Sequence, residues 1–257
     1  MDNSANNIVR RPKSKISSYS INILHRRNPL VVAWWSLAYP GFGHFRLFST
    51  VKGTILFAGE SLINTQAHIN LAIIYSFTGR FAEAKQILNT DLLILYCAIL
   101  IYAIWDSYRV TIEINKLSIL ADHENASLIP MAMEATMLNS YEKRNPWMAA
   151  AWSALMPGLG HLYCVAIIQA LFLLVFATII IYFSHLYPAI GLVANGEFAK
   201  AQAILDPQWL LNFPSFYCFS IYDSYVRAVE YNKLFDQEQA QFFKRSYQSS
   251  LYPMPLQ

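Results

Sequence analysis

Four histidines stand at matching positions in this sequence and are the residues best suited to chemistry. His44 and His161 each follow a Pro-Gly-x-Gly turn, and His68 and His185 lie 24 residues further along. Imidazole nitrogens can ligate a metal or a haem iron, or they can hydrogen-bond to backbone carbonyls that a broken helix leaves free. Because no cysteine or pair of carboxylates joins them at a metal-site spacing, we favour the carbonyl interpretation and expect no metal and no cofactor.

A second polar group lies inside an apolar run. Glu60, Asn64 and His68 are spaced i, i+4 and i+8, so one helical face would carry all three. An ionisable residue within a membrane span usually faces the protein interior or a water-filled path, which makes a proton or ion path one interpretation, with His185 as the counterpart of His68. We favour a buried hydrogen-bonding network that holds helices together, because the second half of the chain has apolar residues where Glu60 and Asn64 would recur.

Two carboxylates near the ends of apolar runs have arginines on the same helical face. Arg109 follows Asp106 at i+3, and Arg227 follows Asp223 at i+4. Both spacings allow an ion pair along a helix. We predict that these pairs neutralise charge at the edge of the lipid and take no part in catalysis.

These groups recur because the sequence contains the same unit twice. Residues 28–117, called here the first half, match residues 145–234, the second half, at a constant offset of 117 without a gap. The helix-breaking motif in the two halves comprises Pro40, Gly41, Gly43 and His44, and Pro157, Gly158, Gly160 and His161. Compositional bias could match Leu with Ile, but it would not match this motif at one offset, so we infer an internal duplication.

The composition argues against a water-soluble chain. Apolar residues make up 55% of the 257 positions and charged residues 14%, against about 25% charged in soluble domains. The net charge is +3, and basic residues precede the first apolar run of each half. Such flanks hold membrane segments at the cytoplasmic face, so we expect a lipid bilayer as partner and no nucleic acid.

The apolar runs predict an all-α integral membrane protein. Pro-Gly-x-Gly interrupts the run Leu30–Phe48, which therefore should not cross the bilayer as a straight helix. The runs 51–78 and Leu92–Trp105 are predicted spans, and the amphipathic stretch Phe81–Leu88 is a predicted interfacial helix. Each repeat is thus a broken or re-entrant helix, two transmembrane helices and a short interfacial helix.

Charge distribution predicts how these elements are arranged across the membrane. Basic residues flank both ends of each half, which gives four spans, parallel halves and two cytoplasmic termini. The alternative, in which the Pro-Gly runs cross fully, has six spans and inverted halves. The predicted divisions are a flexible basic cytoplasmic tail at 1–27, the first half at 28–117, a cytoplasmic linker at 118–144, the second half at 145–234, and a cytoplasmic C-terminal tail at 235–257.

The unit resembles the TM2-domain family, whose pattern is a glycine turn, a histidine and an aromatic, a later glycine, and a Trp-Asp pair near the end of a second helix. The matching residues are Gly41, Gly43, His44, Phe45, Gly53, Trp105 and Asp106, and in the second half Gly158, Gly160, His161, Leu162 and Asp223. The second half lacks the later glycine and the tryptophan. The resemblance implies membrane residence without an enzymatic activity, and the doubled unit is similar to bacterial polytopic membrane proteins.

Three functions are compatible with these features. The first is a non-enzymatic scaffold or accessory subunit of the cell membrane, bound to another membrane protein or to a second copy of itself. The second is a small transporter or channel with a polar path at Glu60, Asn64 and His68. The third is a haem- or metal-binding membrane subunit that uses the histidines. We favour the first, because no sequence motif of a known catalytic class accompanies the polar residues.

Overall fold

The computed structural model describes residues 11–17, 19–124, 131–133, 138–140 and 142–247. The elements up to the end of the first half are β1 (Ser14–Ile16), β2 (Ile21–Ile23), α1 (Pro29–Ala38), α2 (Phe42–Arg46), α3 (Thr50–Ala67), α4 (Ile69–Phe77), α5 (Phe81–Ile87) and α6 (Thr90–Glu124). Those that follow are β3 (Met131–Met133), β4 (Leu138–Ser140), α7 (Pro146–Leu155), α8 (Leu159–Tyr163), α9 (Ile167–Phe183), α10 (Leu186–Ala194), α11 (Phe198–Ile204), α12 (Pro207–Leu210) and α13 (Asn212–Tyr247). The predicted all-α class is confirmed, and helices α7 to α11 begin 117 residues after α1 to α5.

Each half opens with a short helix that the Pro-Gly motif ends. The side chains of Asn28 and Asn145 cap α1 and α7 by accepting hydrogen bonds from backbone N–H groups of the first turn. Both helices have ten residues and are therefore about 15 Å long, half the thickness of a bilayer core. Gly41 and Gly158 then take φ values of 106° and 102°, which favour glycine, and the chain turns into α2 or α8.

The second apolar run of each half, predicted as one span over 51–78 and, at the offset of 117, over 168–195, is bent. His68 and His185 take φ values of 53° and 57° at the breaks, and α9 meets α10 at 60°. In the second half, Pro188 lacks the N–H that a continuous helix would donate to Ser184. The Ser184 carbonyl instead accepts from Asp206 N–H at 3.2 Å.

The third run of each half continues as a long helix, as predicted. Helix α6 has 35 residues and α13 has 36. Among the described residues, only Thr90–Glu124 is a single helix long and apolar enough to cross a membrane, and the bent pair α9–α10 would be a second if it forms one span.

The two ends of each half lie side by side. Arg27 N–H donates to Asn115 Oδ1, and Asn115 Nδ2 donates back to the Arg27 carbonyl, both at 2.8 Å. Arg144 and Asn232 repeat the same reciprocal pair, again at 2.8 Å. Each half therefore begins and ends at the same level of the molecule.

Aromatic rings from both halves meet in the main core. Phe42 of α2 stacks on Phe219 of α13, with ring centroids 4.1 Å apart and planes 6° from parallel. Phe57 of α3 packs edge-on against Phe176 of α9 at 4.3 Å. Because burial and offset stacking of such rings are both favourable, this cluster joins the halves into one body.

The N-terminal segment is structured over residues 11–17 and 19–27, which contradicts the prediction of a flexible tail there, and residues 1–10 and 18 lie outside the described residues. Strands β1 and β2 pair antiparallel. Ile21 and Ile23 alternate with Asn22 and bury one apolar face against the second half. Tyr231 Oη donates to the Ile21 carbonyl at 3.1 Å, and Ile167 N–H donates to the Tyr19 carbonyl at 3.0 Å.

The last helix of each half runs past the predicted boundaries at 117 and 234. Helix α6 continues to Glu124, and α13 continues to Tyr247. Within the predicted linker, β3 pairs with β4, and residues 125–130, 134–137 and 141 lie outside the described residues, as do 248–257 in the predicted C-terminal tail. Ser118 and Ala121 keep one face of α6 buried beyond residue 117.

Candidate functional site: a buried ionic centre between the halves

Each half contains a buried histidine–aspartate pair. His44 Nε2 lies 3.0 Å from Asp106 Oδ2, and His161 Nε2 lies 2.9 Å from Asp223 Oδ2. All four side chains are almost completely inaccessible to solvent. The expectation that these histidines bond freed carbonyls is wrong. Nε2 meets a carboxylate because α2 and α8 fold back against the long helices, and Nδ1 of each is buried without a hydrogen bond among the described residues.

A donor from the following helix reaches the same carboxylate oxygen. Lys52 Nζ of α3 lies 2.7 Å from Asp106 Oδ2, and Gln169 Nε2 of α9 lies 2.8 Å from Asp223 Oδ2. These two donors occupy matching positions, 54 residues before their aspartates. Each aspartate therefore ties three helices of its own half together.

The predicted charge pairs are formed, and they differ in their surroundings. Arg109 Nη2 donates to Asp106 Oδ1 at 2.9 Å, and Arg227 Nη2 donates to Asp223 Oδ2 at 3.3 Å. The Arg109 side chain is 43% exposed, whereas that of Arg227 is 3% exposed. Water therefore reaches the arginine partner of Asp106 but does not reach that of Asp223.

One arginine extends the second centre across both halves. Arg46 of α2 donates through Nη1 to Asp223 Oδ1 at 2.7 Å and through Nη2 to Glu230 Oε1 at 2.8 Å. Arg27 Nη2 donates to Glu230 Oε2 at 3.1 Å. Such charge-assisted bonds are among the strongest in proteins, and here they bridge the halves. Arg46 was not among the predicted site residues, although it is the only arginine or lysine in the first apolar run.

Glu230 is held in its charged form by these neighbours. Burial alone would raise the pKa of Glu230, which lies two turns beyond the apolar part of α13, but Arg27 and Arg46 outweigh burial and hold that pKa well below its ordinary value. A carboxylate with a lowered pKa stabilises the fold above its ordinary pKa, and the contribution is lost as pH falls. The centre therefore retains this ion pair at neutral pH.

Glu60 and Asn64 belong to a separate polar network that also joins the halves. Asn64 Nδ2 donates to Glu60 Oε1 at 2.9 Å, and Gln208 Nε2 of α12 donates to Asn64 Oδ1 at 2.9 Å. Asn70 Nδ2 then donates to Asn212 Oδ1 at 3.1 Å. The network crosses to the second half, which explains why Glu60 and Asn64 have no polar counterparts there.

His68 does not belong to this network, so the prediction of one stripe through Glu60, Asn64 and His68 is wrong. The break after Ala67 turns His68 to the surface. His68 and His185 both line a cleft of about 900 Å³ between the halves. Two of the four histidines are thus buried and two are exposed. Within the described part of the chain, no group of three or more His, Cys, Asp or Glu residues is arranged to hold a metal ion.

We expect Asn64→Leu to destabilise the protein by about 2 kcal/mol, because the buried amide of Gln208 loses one of its two acceptors and the backbone N–H of Asn70 loses the Asn64 Oδ1 acceptor. The matched control is Ile181→Leu at the equivalent position of the second half, where a swap of similar volume should cost less than about 1.5 kcal/mol. Unfolding followed by tryptophan fluorescence in detergent measures both. Equal stability of Asn64→Leu and the parent would contradict a structural role for the network.

The glycines of the two motifs allow the short helices to approach their neighbours closely. A Cβ on Gly43 would lie 2.3 Å from Ser36 Oγ, and one on Gly160 would lie 2.1 Å from the Ala149 carbonyl oxygen. Real Cβ atoms do not approach other atoms so closely. The motif therefore brings each histidine within reach of its aspartate.

The fold and this site define a helical protein in which two similar halves enclose polar and ionic groups. No protein-family model, curated protein or solved structure matches the chain. The function is therefore inferred from the residues themselves.

Proposed function

We propose that the chain is an integral membrane protein whose two repeats form one unit, and that it acts as a non-enzymatic scaffold or accessory subunit of a membrane complex. The observation that carries the membrane assignment is an inverted distribution of polarity. Buried polar residues include Glu60, Asn64, Asn70, Gln208, Asn212 and Asp223. Exposed apolar residues include Leu30, Val51, Ile55, Leu62, Ile94, Ile101, Leu155 and Leu171.

Water-soluble proteins rarely leave apolar side chains exposed on this scale. Ile94 and Ile101 of α6 are 70% and 67% exposed, while Asp106 on the same helix is 1% exposed. Lipid tails would cover the first two at no cost, and the protein interior satisfies the third. This distribution favours a bilayer around the helices.

Exposed aromatic residues lie at both ends of the helices. Trp105 and Trp147 are exposed near the ends of the halves, and Tyr182 and Tyr187 are exposed around the α9–α10 break. Helix α9, which ends beside these tyrosines, has 17 residues and is about 25 Å long. Trp and Tyr are enriched where a membrane meets water, so these exposed positions support a bilayer around the helices.

The proposed topology has four crossings and parallel halves. The reciprocal hydrogen bonds between Arg27 and Asn115 and between Arg144 and Asn232 favour an even number of crossings for each half. Helices α1 and α7 are too short to cross, which supports re-entry at the Pro-Gly motif. The positive-inside rule then assigns both termini to the cytoplasm of a multi-pass cell-membrane protein.

The scaffold role is supported by what the ionic groups do. His44, Asp106, His161 and Asp223 all bond one another or neighbouring helices in sites closed to solvent. Groups held in this way stabilise a rigid body, and a rigid body with a broad apolar surface suits lateral association with another membrane protein or a second copy.

Co-purification tests the proposal directly. Tagged protein is extracted from native membranes in a mild detergent, cross-linked and analysed by mass spectrometry, after an alkaline carbonate wash of the membranes. We expect the chain to stay in the washed membrane fraction and to carry a stoichiometric partner or a second copy. Release by carbonate would contradict membrane insertion, and a monomer without a partner would contradict the scaffold role.

A second candidate function, a proton or ion path, is favoured by one observation. Glu60 is buried, and its Oε2 atom makes no standard hydrogen bond within the described residues. A Glu60→Ala variant in proteoliposomes, with the exposed Glu83→Ala as control, would then lose proton or ion flux. Unchanged flux would reject this path.

A further inference from the structure

A small basic pocket lies beneath the N-terminal hairpin. It is open to solvent, has a volume of about 190 Å³ and is lined by β1, β2, the junction between α2 and α3, and Ile114 of α6. Its lining includes Lys13, Lys15 and Arg27 together with the ring of Phe48, and no carboxylate among the described residues lines it. The pocket therefore presents three cations to whatever occupies it.

Arg27 has hydrogen-bonding capacity left over at this position. Its Nη2 atom donates to Glu230 and its guanidinium lies 5.0 Å from the centroid of the Phe48 ring, whereas Nη1 and Nε are buried and make no hydrogen bond among the described residues. The side chain is only 3% exposed. Buried donors that lack acceptors are costly, so an acceptor entering the pocket would relieve this deficit.

The ionic centre beside the pocket also has a surplus of positive charge. Three buried guanidinium groups, on Arg27, Arg46 and Arg227, face two buried carboxylates, on Asp223 and Glu230. Burial lowers the pKa of Arg27, and the pull of Glu230 offsets this only in part. His25 Nε2 also lies 3.0 Å from Glu230 Oε1.

Of the two lysines that line the pocket, only Lys15 is without an ion pair among the described residues. Lys15 is exposed and forms no ion pair within the described residues, whereas Lys13 is paired with Asp122 at 2.8 Å. Arg27 and Lys15 are therefore the two cations able to bind a ligand. A guanidinium fork and a flexible ammonium together suit the several oxygens of a phosphate group.

We propose that this pocket binds a phosphate group, carried by an anionic lipid headgroup or by a small soluble phosphate compound. A headgroup fits the position of the pocket at the basic end of the halves, where anionic lipids attract cations. The site does not depend on the scaffold role, because a soluble phosphate would use the same donors.

The second half supplies a matched control. Arg144 occupies the position of Arg27 at the offset of 117 and does not line the pocket. Its Nη1 atom donates to the Tyr163 carbonyl, and its backbone N–H donates to Asn232 as that of Arg27 does to Asn115. Arg144→Gln thus removes an equivalent charge away from the pocket.

Thermal unfolding of the full chain in neutral detergent tests the site. The probes are glycerol 3-phosphate, with sodium chloride at matched ionic strength as reference, and micelles doped with phosphatidylglycerol or with phosphatidylcholine. At a hundredfold excess over Kd, we expect glycerol 3-phosphate or phosphatidylglycerol to raise the midpoint by about 5 °C. Lys15→Gln and Arg27→Gln should each weaken binding about tenfold, and Arg144→Gln should leave it unchanged.

The pattern of responses identifies the source of the phosphate. Stabilisation by phosphatidylglycerol alone would indicate that the ligand is a lipid. Stabilisation by glycerol 3-phosphate alone would indicate a soluble compound. Stabilisation by both would indicate a site that recognises the headgroup they share. If Arg27→Gln fails to fold, Lys15→Gln decides, because Lys15 supports no described ion pair. Equal shifts with sodium chloride, no shift with either phosphate probe, or equal weakening by Arg144→Gln would overturn the proposal.

Discussion

Replacing Asp223 by asparagine is expected to destabilise the protein by about 3–5 kcal/mol, the usual cost of removing one partner from a buried ionic group. Asp223 accepts hydrogen bonds from Arg46, Arg227 and Gln169 and is paired with His161. Asparagine has a similar volume, but it cannot neutralise the two guanidinium groups. Both arginines would then remain buried with fewer counter-charges than before.

The equivalent change in the first half is the control. Asp106→Asn removes a carboxylate whose cationic partners, Lys52 and Arg109, are 41% and 43% exposed. Water can solvate both cations, so we expect less than half of the destabilisation seen for Asp223→Asn. Unfolding of the two variants in the same detergent gives the comparison. An equal loss of unfolding free energy in the two variants would contradict this account, because it would mean that the bonds of Asp223 between the halves are no stronger than those of Asp106 within the first half.

Adding a methyl group at Gly160 is expected to destabilise the protein by about 3 kcal/mol or to prevent folding. In Gly160→Ala, the new Cβ would lie 2.1 Å from the Ala149 carbonyl oxygen and 2.9 Å from Ser224 Cβ. Helices α7, α8 and α13 would have to separate, and overpacking of this kind costs up to about 3 kcal/mol or more. Separation would also move His161 away from Asp223.

A helical glycine elsewhere in the same half serves as the control. A Cβ on Gly191 would meet nothing within 4 Å, and alanine is favoured over glycine in a helix by up to about 1 kcal/mol. Gly191→Ala should therefore be neutral or stabilising. The yield of folded protein and the unfolding midpoint measure both variants, and a Gly160→Ala protein as stable as Gly191→Ala would contradict the close approach of the helices.

Local features of the fold could be predicted from the sequence because local chemistry determines them. Asn28-Pro29 caps the start of a helix, and Pro40-Gly41 ends it, since proline and a left-handed glycine do not continue an α-helix. The bend at His68 was not predictable in the same way, because no glycine or proline stands there. It accompanies a bond from Asn70 N–H to Asn64 Oδ1, a side-chain contact that periodicity does not reveal.

The ionic centre required the tertiary structure for a different reason. The separation of 62 residues between His44 and Asp106 is repeated between His161 and Asp223, and a comparison of the halves could have suggested these pairs. Nothing local indicated that Arg46 would reach Asp223, 177 residues away. The partners of a buried charge depend on how helices pack, so the sequence identified the charged residues without identifying most of their contacts.

Cysteine labelling across the membrane tests the central claim, that each half enters and leaves the bilayer from one side. Cys97, Cys164 and Cys218 are first replaced by alanine, and single cysteines are then placed at Asn28, Lys116, Gly79 and Gly196. The reagent is a membrane-impermeant maleimide, applied to intact cells and then to inverted vesicles. Detection by mass shift after denaturation gives the accessible side of each position.

We expect Asn28→Cys and Lys116→Cys to react only in inverted vesicles. Gly79→Cys and Gly196→Cys, which follow α4 and α10 at the opposite end of the helices, should react in intact cells. Labelling of Asn28→Cys and Lys116→Cys from opposite sides would mean that the Pro-Gly helices cross completely, and the four-span arrangement would be wrong.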